Sequence, residues 1–394
     1  MRKQIEKYAG KLVEYRLARP GAVAIYALDD VVTASGETGT PAAWEKLFEH
    51  LNILGLIFAG PPDYGRIIMD EVTRSASRVL PEDCETRTFL HDIPVAEPDD
   101  WSGIVTSMKE RKGIIVRGEG ILTHGSITLE QAFVSCSSIM HALFVKYFVD
   151  FERLAASVAA GEAAAGSSFG DRVSAFRKLK QVIPPAPAVR QPMTRGPFMD
   201  GGSAVAAMDE AGKEVVRQWL VDSYFGNISY RVGDVLYISQ TASSLDELPG
   251  CIDPVPLDGS SSAGITASSE LLAHSGIIET TGCRAILHGH PKFSIIMSML
   301  CDKKETCRLD CYKDCPESRS IIDIPIVIGE IGAGGLARTV PAAIPAMGGT
   351  VVFGHGVFTC GMTDFDEPFR NLVSIERRCR DLYFERVEAL LAKI

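Results

Sequence analysis

Residues Gly349 to Gly361 read GTVVFGHGVFTCG, and residues Gly113 to Gly125 read GIIVRGEGILTHG. Both stretches combine β-branched residues with regularly placed glycines, and a segment with helical periodicity follows each of them. That segment ends in an aromatic cluster both times, FVKYFVDFERL in the first copy and RDLYFERVEAL in the second. Similarity at so long a period indicates that the chain contains one structural unit twice.

Further blocks repeat in the same order upstream of these stretches. Ile57 to Met69 (IFAGPPDYGRIIM) resembles Ile286 to Met297 (ILHGHPKFSIIM), with one extra residue in the first copy. The block HDIPV from His91 corresponds to IDIPIV from Ile322. The shared order predicts two tandem copies of one fold, not a chance similarity.

The repeat also predicts the domain boundaries. One domain is expected over residues 1–152 and a second over residues 204–394. The segment 153–203 is rich first in alanine and then in proline, which indicates a helical extension followed by a semi-rigid linker.

Local patterns within the second copy predict mixed α/β layers. Short β-rich segments begin at Asp234 (DVLYIS) and Ala285 (AILHGH), and a helix is expected from about Pro291. A further strand is predicted in TVVFGHGVFTCG, and the last helix over Asp366 to Leu391.

The composition narrows the function classes. The 394 residues carry a net charge of −10, which argues against a broad surface for nucleic acid or for anionic membranes. The charged N-terminus lacks the apolar core of a signal peptide, and the longest uncharged stretch, Val340 to Thr363, is interrupted by prolines and glycines. We therefore expect a cytoplasmic protein that binds no membrane.

Three histidines of the second copy are candidate metal ligands. His288 and His290 are two residues apart in a predicted strand, so both side chains project from one face. Aligned through the proline that follows, the first copy carries other residues at all three positions: Ala59, Pro61 and Glu119, the last in place of His355. The three histidines are thus present together in one copy and absent together from the other. This favours a shared role as ligands of Zn²⁺ or another divalent ion. The alternative is that His288 and His290 are only hydrogen-bonded at a sheet edge.

The second copy resembles the class II aldolase/adducin family. Five words carry the resemblance in the family's order: FGNISYR from Phe225, SQTA from Ser239, ASSE from Ala267, ILHGHP from Ile286 and FGHGVF from Phe353. It implies a three-layer α/β sandwich, present here in two tandem copies. It also implies a divalent metal, usually zinc, held by His288, His290 and His355, with Glu270 as the acid/base group.

The same resemblance places a substrate phosphate among Gly226, Asn227, Thr241, Ser268 and Ser269. Small residues expose backbone N–H groups to an anion, and hydroxyl and amide groups bind phosphate oxygens. Two other interpretations stay open: Gly226 and Asn227 form a tight turn, and Ser268 and Ser269 cap a helix that starts near Glu270. Ala242 departs from the family, which often has glycine there, and a positive φ would be costly for alanine.

The implied activity is that of a metal-dependent lyase that cleaves a phosphorylated ketose through an enediolate. Glu270 would move the proton, helped by a pKa raised in a partly desolvated pocket. The family uses the same pocket for epimerisation and dehydration, and adducin-like members are non-catalytic assembly modules, so these remain alternatives. The family's C-terminal catalytic tyrosine has no clear counterpart, and Tyr312 and Tyr383 are the candidates.

Four cysteines form a separate motif with the spacing C-x5-C-x3-C-x3-C: Cys301, Cys307, Cys311 and Cys315. Their thiolates could bind a structural Zn²⁺ or an iron–sulfur cluster, which would permit a redox or sensor function. The spacing fits no standard zinc ribbon or ferredoxin, so a set of reduced thiols is the alternative.

The first copy lacks the ligands and cannot perform the same chemistry alone. The resemblance implies active sites between neighbouring subunits of a four-fold ring, where a ligand-free domain could still furnish the adjacent wall. We therefore expect a homodimer in which each chain mimics two subunits.

Overall fold

Strand pairing divides the chain into two separate sheets, one in each of two structural units. The computed structural model describes residues 1–35, 42–163, 166–222, 224–301, 307, 310–315, 318–329, 334–344 and 348–394. The first unit comprises Met1–Pro185 with Ile394, and the second comprises Ala186–Lys393. The boundary falls inside the segment 153–203 that the sequence predicts as a linker.

The first unit contains seven strands: β1 (Val23–Leu28), β2 (Val32–Ala34), β3 (Gly55–Ala59), β4 (Arg78–Val79), β5 (Ile93–Ala96), β6 (Gly113–Val116) and β7 (Gly120–Gly125). Its α-helices are α1 (Arg2–Glu14), α2 (Asp63–Thr73), α3 (Cys84–Leu90), α4 (Trp101–Glu110), α5 (Leu129–Ala159) and α6 (Ser167–Val182), with a 3₁₀ helix at Ala42–Glu49. The first part of the predicted linker is thus the end of α5 together with α6, and it belongs to this unit.

The second unit contains eight strands: β8 (Asn227–Val232), β9 (Val235–Ser239), β10 (Ile252–Pro256), β11 (Ala285–Gly289), β12 (Arg319–Ile321), β13 (Ile324–Val327), β14 (Gly349–Val352) and β15 (Gly356–Gly361). Its α-helices are α7 (Gly201–Arg217), α8 (Leu271–Thr281), α9 (Lys292–Met299), α10 (Gly335–Ala343) and α11 (Asp366–Leu391), with a 3₁₀ helix at Ser262–Ile265.

The two sheets have the same topology. The first runs β2-β1-β3-β7-β6-β5-β4, and the second runs β10-β9-β8-β11-β15-β14-β13-β12. When the strands are matched in chain order, the second sheet differs only by the added edge strand β10. In both sheets one internal pair is parallel, β5 with β6 and β13 with β14, and the pairs on either side are antiparallel.

The repeated sequence blocks lie on matching strands with matching hydrogen-bond register. In the first unit Gly113 pairs with Thr123, and in the second Gly349 pairs with Thr359. The stretch that we predicted as one strand is a hairpin in each unit, and in the second unit it turns at Gly354 with φ +60°. A glycine suits this turn because positive φ carries no Cβ penalty there.

The register corrects one sequence alignment. Ala59 pairs with Ile121 as Gly289 pairs with Val357, so Phe58, and not Ala59, is the counterpart of His288. The Gly60 N–H donates to Ala22 as the His290 N–H donates to Leu220, so Gly60, and not Pro61, matches His290. Alignment through the proline was wrong because the extra residue lies after the strand, where α2 and α9 begin after Pro62 and Pro291.

Each sheet has helices on both faces. In the second unit α8 and α10 contribute Ile277 and Val340 to a core that includes Ile286 of β11. On the opposite face α11 approaches so closely that a Cβ at Gly349 would lie 3.0 Å from Ile375. In the first unit Ile139 of α5 has the same position over Gly113. The predicted three-layer α/β architecture is thus confirmed.

One helix among the described residues, α5, is long and apolar enough to span a membrane by composition alone. Its most apolar window is 89% buried, as in the core helix of a folded domain.

Candidate metal centre

The three candidate histidines converge although they lie in different parts of the second unit. His288 is in β11, His290 directly follows that strand, and His355 ends the turn between β14 and β15. All three side chains are at least 97% buried, and their ring centroids lie 4.7 to 5.2 Å apart. One nitrogen from each ring lies within 4.8 Å of the other two. Among the described residues, no other group of three His, Cys, Asp or Glu side chains converges in this way.

Two contacts orient the His288 ring. Its Nδ1–H donates to the Val357 carbonyl at 3.1 Å, which leaves Nε2 as the nitrogen with a free lone pair. The ring stacks on Phe358 with 3.9 Å between centroids. Burial lowers the pKa of His288 to about 4 against the opposing effect of Glu270, so the imidazole is neutral near pH 7, as a metal ligand must be.

The donor set fits a divalent metal. His288 Nε2 and His290 Nε2 lie 2.9 Å apart. A tetrahedral zinc ion with bonds of about 2.0–2.1 Å holds its ligand nitrogens about 3.3–3.4 Å apart, so a small outward movement of the two rings would admit one. Three imidazoles with a carboxylate beside them suit Zn²⁺ and other first-row divalent ions.

Glu270 lies directly against the histidines. Its Oε1 is 3.3 Å from His355 Nε2, and its Oε2 is 3.5 Å from His288 Nε2. Glu270 immediately precedes α8, so the helix fixes its backbone. The side chain is 11% exposed, which leaves it accessible to a small molecule that approaches the histidines.

The expected rise of the Glu270 pKa is wrong for the protein without metal. Burial raises the pKa of this carboxyl, but His288, His355 and the Asn227 amide outweigh burial and hold it well below its usual range. Glu270 is therefore a carboxylate at neutral pH. A carboxylate of low pKa is a weak base, so it can accept a proton efficiently only from a substrate group that a metal has made more acidic.

Asn227, predicted at a phosphate, has a different set of partners. Its Nδ2 donates to Glu270 Oε2 at 2.8 Å, and its Oδ1 accepts from His274 Nε2. Asn227 is thus positioned to hold Glu270. His274 was missed by the sequence reasoning, although the spacing of four residues from Glu270 on one helical face was a usable signal.

Three other predicted phosphate residues follow the two ends of the bridge between Gln240 and Ala267: Thr241 on one side, Ser268 and Ser269 on the other. The Thr241 hydroxyl donates to the Ala267 carbonyl at 3.0 Å, and Ser268 Oγ accepts the Glu270 N–H at 3.3 Å. Ser269 is exposed. The hydroxyls of Thr241 and Ser268 therefore already have intramolecular partners, whereas Ser269 faces solvent.

Two residues among or beside the predicted phosphate residues have a positive φ. Gly226 has φ +89°, and a Cβ there would lie 2.6 Å from the His288 carbonyl oxygen. Ala242 has φ +60°, the conformation that we expected to be costly for alanine at this position. The glycine is thus required both by its φ and by the close approach of β11.

The candidate tyrosines differ in location. Tyr383 is fully buried in the core beside Phe293. Tyr312 lies against the turn that carries His355, with its hydroxyl 3.2 Å from the position of a Cβ on Gly354. Tyr312 is therefore the candidate that packs against the turn that carries His355.

The cysteines of the loop influence one another electrostatically. Within the described part of the chain, no three of their sulfur atoms converge as the histidine nitrogens do. Burial raises the pKa of the Cys311 thiol, and Cys315, Cys301 and Cys307 raise it further while Arg319 lowers it. All four are free thiols. A metal or cluster at Cys301, Cys307, Cys311 and Cys315 stays a prediction.

Comparison with known proteins gives the family of the second unit. Residues 206–383 match the family model described as Class II Aldolase and Adducin N-terminal domain. This part of the chain belongs to the class II aldolase/adducin family. The matched region of this class II aldolase-like unit includes Glu270 and all three histidines. No curated protein matches the chain.

Solved structures similar to the chain include the l-fuculose-1-phosphate aldolase from Thermus thermophilus, at 21% identity and a TM-score of 0.39, covering 48% of this chain and 96% of that one. Another is YgbL from Klebsiella pneumoniae, a putative aldolase/epimerase/decarboxylase, at 20% identity and a TM-score of 0.39, covering 49% of this chain and 100% of that one. A third is a sugar-phosphate aldolase from Thermotoga maritima, at 17% identity and a TM-score of 0.35, covering 47% and 94%. The activities in these names are those of the named proteins.

Proposed function

We propose that the second unit is a divalent-metal-dependent lyase that cleaves a phosphorylated ketose. The convergence of three buried imidazoles beside a carboxylate is the observation that carries this proposal. His288, His290 and His355 would hold the ion, for which zinc is our first choice. The family of the matched region supports an enzyme of this class.

The chemistry assigns a distinct task to each group. When bound, the ion supplies a Lewis acid that draws electron density from the ketone carbonyl. Aldol cleavage then requires loss of the proton from a substrate hydroxyl, breakage of the adjacent C–C bond to release an aldehyde, and protonation of the carbon left beside the carbonyl. Glu270, ionised and within 3.5 Å of two histidines, is the group that would transfer the proton to or from that carbon.

A phosphate group on the substrate is supported by the surroundings of Glu270. Ser268 and Ser269 directly precede Glu270, Thr241 donates to the Ala267 carbonyl, and Gly226 directly precedes Asn227, which donates to Glu270. Ser269 is exposed to an incoming ligand. We infer that this region binds the phosphate through backbone N–H and hydroxyl groups.

The first test concerns the ion and does not require a substrate. Purified protein is expected to contain one equivalent of divalent metal per chain, measured by plasma mass spectrometry. His290→Ala removes one of three ligands and should lower metal affinity at least about 100-fold, because two imidazoles cannot hold the ion as three do. His50→Ala, at an exposed histidine of the first unit, is the matched control and should retain full occupancy.

Activity then distinguishes the chemistry. Incubation with a panel of phosphorylated ketoses should release an aldehyde, and the release should stop on chelation and return on adding metal. Inversion of a carbon centre without aldehyde release would show that the enzyme is an epimerase and not a lyase. Loss of water from the substrate would show that it is a dehydratase. Absence of stoichiometric metal from the wild-type protein would contradict all three and favour a non-catalytic module.

We further propose that the first unit is a degenerate copy that completes the active site of a neighbouring chain in a homodimer. The matching strand order and register support common descent, while Phe58, Gly60 and Glu119 occupy the ligand positions. Light scattering of the full chain is expected to give twice the chain mass of 42.6 kDa. A monomer with full activity at the concentration of the assay would contradict this arrangement.

A further inference from the structure

A buried row of four side chains runs from the sheet of the second unit to Glu270. Ser229 Oγ lies 2.7 Å from His274 Nδ1, His274 Nε2 bonds to Asn227 Oδ1, and Asn227 Nδ2 lies 2.8 Å from Glu270 Oε2. Ser229 and His274 are fully buried, and Asn227 is 7% exposed. Glu270 thus has one oxygen committed to this row and the other directed to His355.

Hydrogen-bond chemistry fixes every donor in the row. Glu270 Oε2 accepts from the Asn227 NH₂ group, so the carbonyl oxygen of that amide faces His274. That oxygen only accepts, so His274 Nε2 must carry a hydrogen. Neutral His274 then has its lone pair at Nδ1 and accepts the hydroxyl hydrogen of Ser229. No other arrangement of protons on a neutral ring satisfies all three bonds.

The aromatic ring of Phe358 connects this row to the metal ligands. It is stacked on His288 at 3.9 Å and meets His274 at 5.9 Å with an interplanar angle of 70°. Rotation of the His274 ring is therefore restricted by the same side chain that packs against a ligand histidine.

The first unit provides an internal comparison. By strand register, Ala24 occupies the position of Asn227, Tyr26 that of Ser229, and Leu122 that of Phe358. The copy that lacks the histidine ligands therefore also lacks these members of the row, although its sheet has the same pairing. The fold does not require the row, so the row serves the site.

We propose that His274 is a positioning residue that fixes the rotamer of Asn227 and, through it, the direction of the Glu270 carboxylate. The expected effect of His274 on the reaction rests on the proposed function, whereas its hydrogen bonds and its protonated nitrogen do not. His274 reaches the carboxylate only through Asn227, so its effect on the reaction is indirect.

The position of the proton on His274 is tested without substrate. Protein labelled with ¹⁵N-histidine should show His274 as the neutral Nε2–H tautomer, identified by its loss in His274→Gln. A neutral Nδ1–H tautomer or an imidazolium at pH 7 would overturn the inference whether or not the protein is an aldolase.

The catalytic consequence is tested by a pair of variants. His274→Gln keeps a donor near the position of Nε2, whereas His274→Leu fills the space without one. Both should bind one equivalent of metal. The leucine variant should lose about 10- to 100-fold in kcat with little change in KM, and glutamine should recover most of that loss, as for other groups that orient an active-site residue.

A control variant separates positioning from burial. His141→Leu replaces another fully buried histidine, in α5 of the first unit, and should leave kcat within about twofold. Loss of metal in His274→Leu, or equal kcat in the leucine and glutamine variants, would overturn the positioning role. If the wild type turns over no ketose phosphate, the proposed activity fails, while the tautomer measurement still decides the inference.

Discussion

At the scale of single residues, the site combines side chains whose types could be predicted with partners that could not. His288, His290, His355 and Glu270 were identifiable because short words and a repeat marked them. Asn227 was identifiable too, but its two partners lie 43 and 47 residues away along the chain. Only folding brings them within hydrogen-bond distance, so the phosphate assignment of Asn227 missed its contact with Glu270.

The direction of the Glu270 pKa shift also could not be predicted from the sequence. Burial alone predicts a raised pKa, which is what a desolvated carboxyl in a pocket would show. The three nearby polar side chains reverse the sign, because each stabilises the charged form. The direction of the shift depends on distances of 2.8 to 3.5 Å, and the sequence contains no information at that precision.

At the scale of secondary structure, periodicity and repeated blocks predicted most elements of the second unit. The last helix was expected over Asp366 to Leu391 and has those bounds. The register of β11 was the exception, because a proline anchored the alignment whereas inter-strand hydrogen bonds determine the pairing. A shift of one residue moves every side chain to the other face, which is why Phe58, on the same face as His288, is the informative counterpart.

In the first unit, α5 is joined to the segment before α3 by a partly buried ion-pair network. Glu82 Oε1 lies 3.1 Å from Lys146, and Oε2 lies 2.7 Å from Arg153. Burial raises the pKa of Glu82, but the two cations outweigh burial and bring it to about 2 from 4.5. A depressed folded-state pKa means that the stabilisation is complete above pH 4.5 and is lost as the pH falls toward 2.

We therefore expect Glu82→Gln to lower the free energy of unfolding by about 2–3 kcal/mol at pH 7 and by much less near pH 2.5. Urea denaturation across this pH range measures the difference. Glu97→Gln is the control. The Glu97 carboxylate that binds Arg117 is 54% exposed, so this substitution should lower the free energy of unfolding by less than about 1 kcal/mol. A constant difference between wild type and Glu82→Gln over the whole range would contradict the assigned pKa.

At the scale of the whole molecule, one strand register serves two purposes. His288 and Phe58 occupy the same ladder position, each paired with a central hairpin strand, at Phe358 and Leu122. Phe58 belongs to a core cluster with Trp44 and stacks on it at 5.7 Å. The first unit thus has an apolar side chain where the second has the proposed ligand His288, and it gains hydrophobic stabilisation in a layer where the second unit keeps buried polar groups.

Leucine is therefore expected to have opposite effects on metal content at His288 and at Phe58. His288→Leu should abolish metal binding and destabilise the metal-stripped protein by about 1–3 kcal/mol, because it removes a polar partner from the Val357 carbonyl and from the buried Glu270 carboxylate. Phe58→Leu should leave one metal per chain and destabilise by about 1–2 kcal/mol, because it removes ring contacts with Trp44. Metal analysis and urea denaturation of the stripped proteins measure both effects. If Phe58→Leu changed the metal content, or if His288→Leu left one metal per chain, the two units would not divide chemistry and stability along this register.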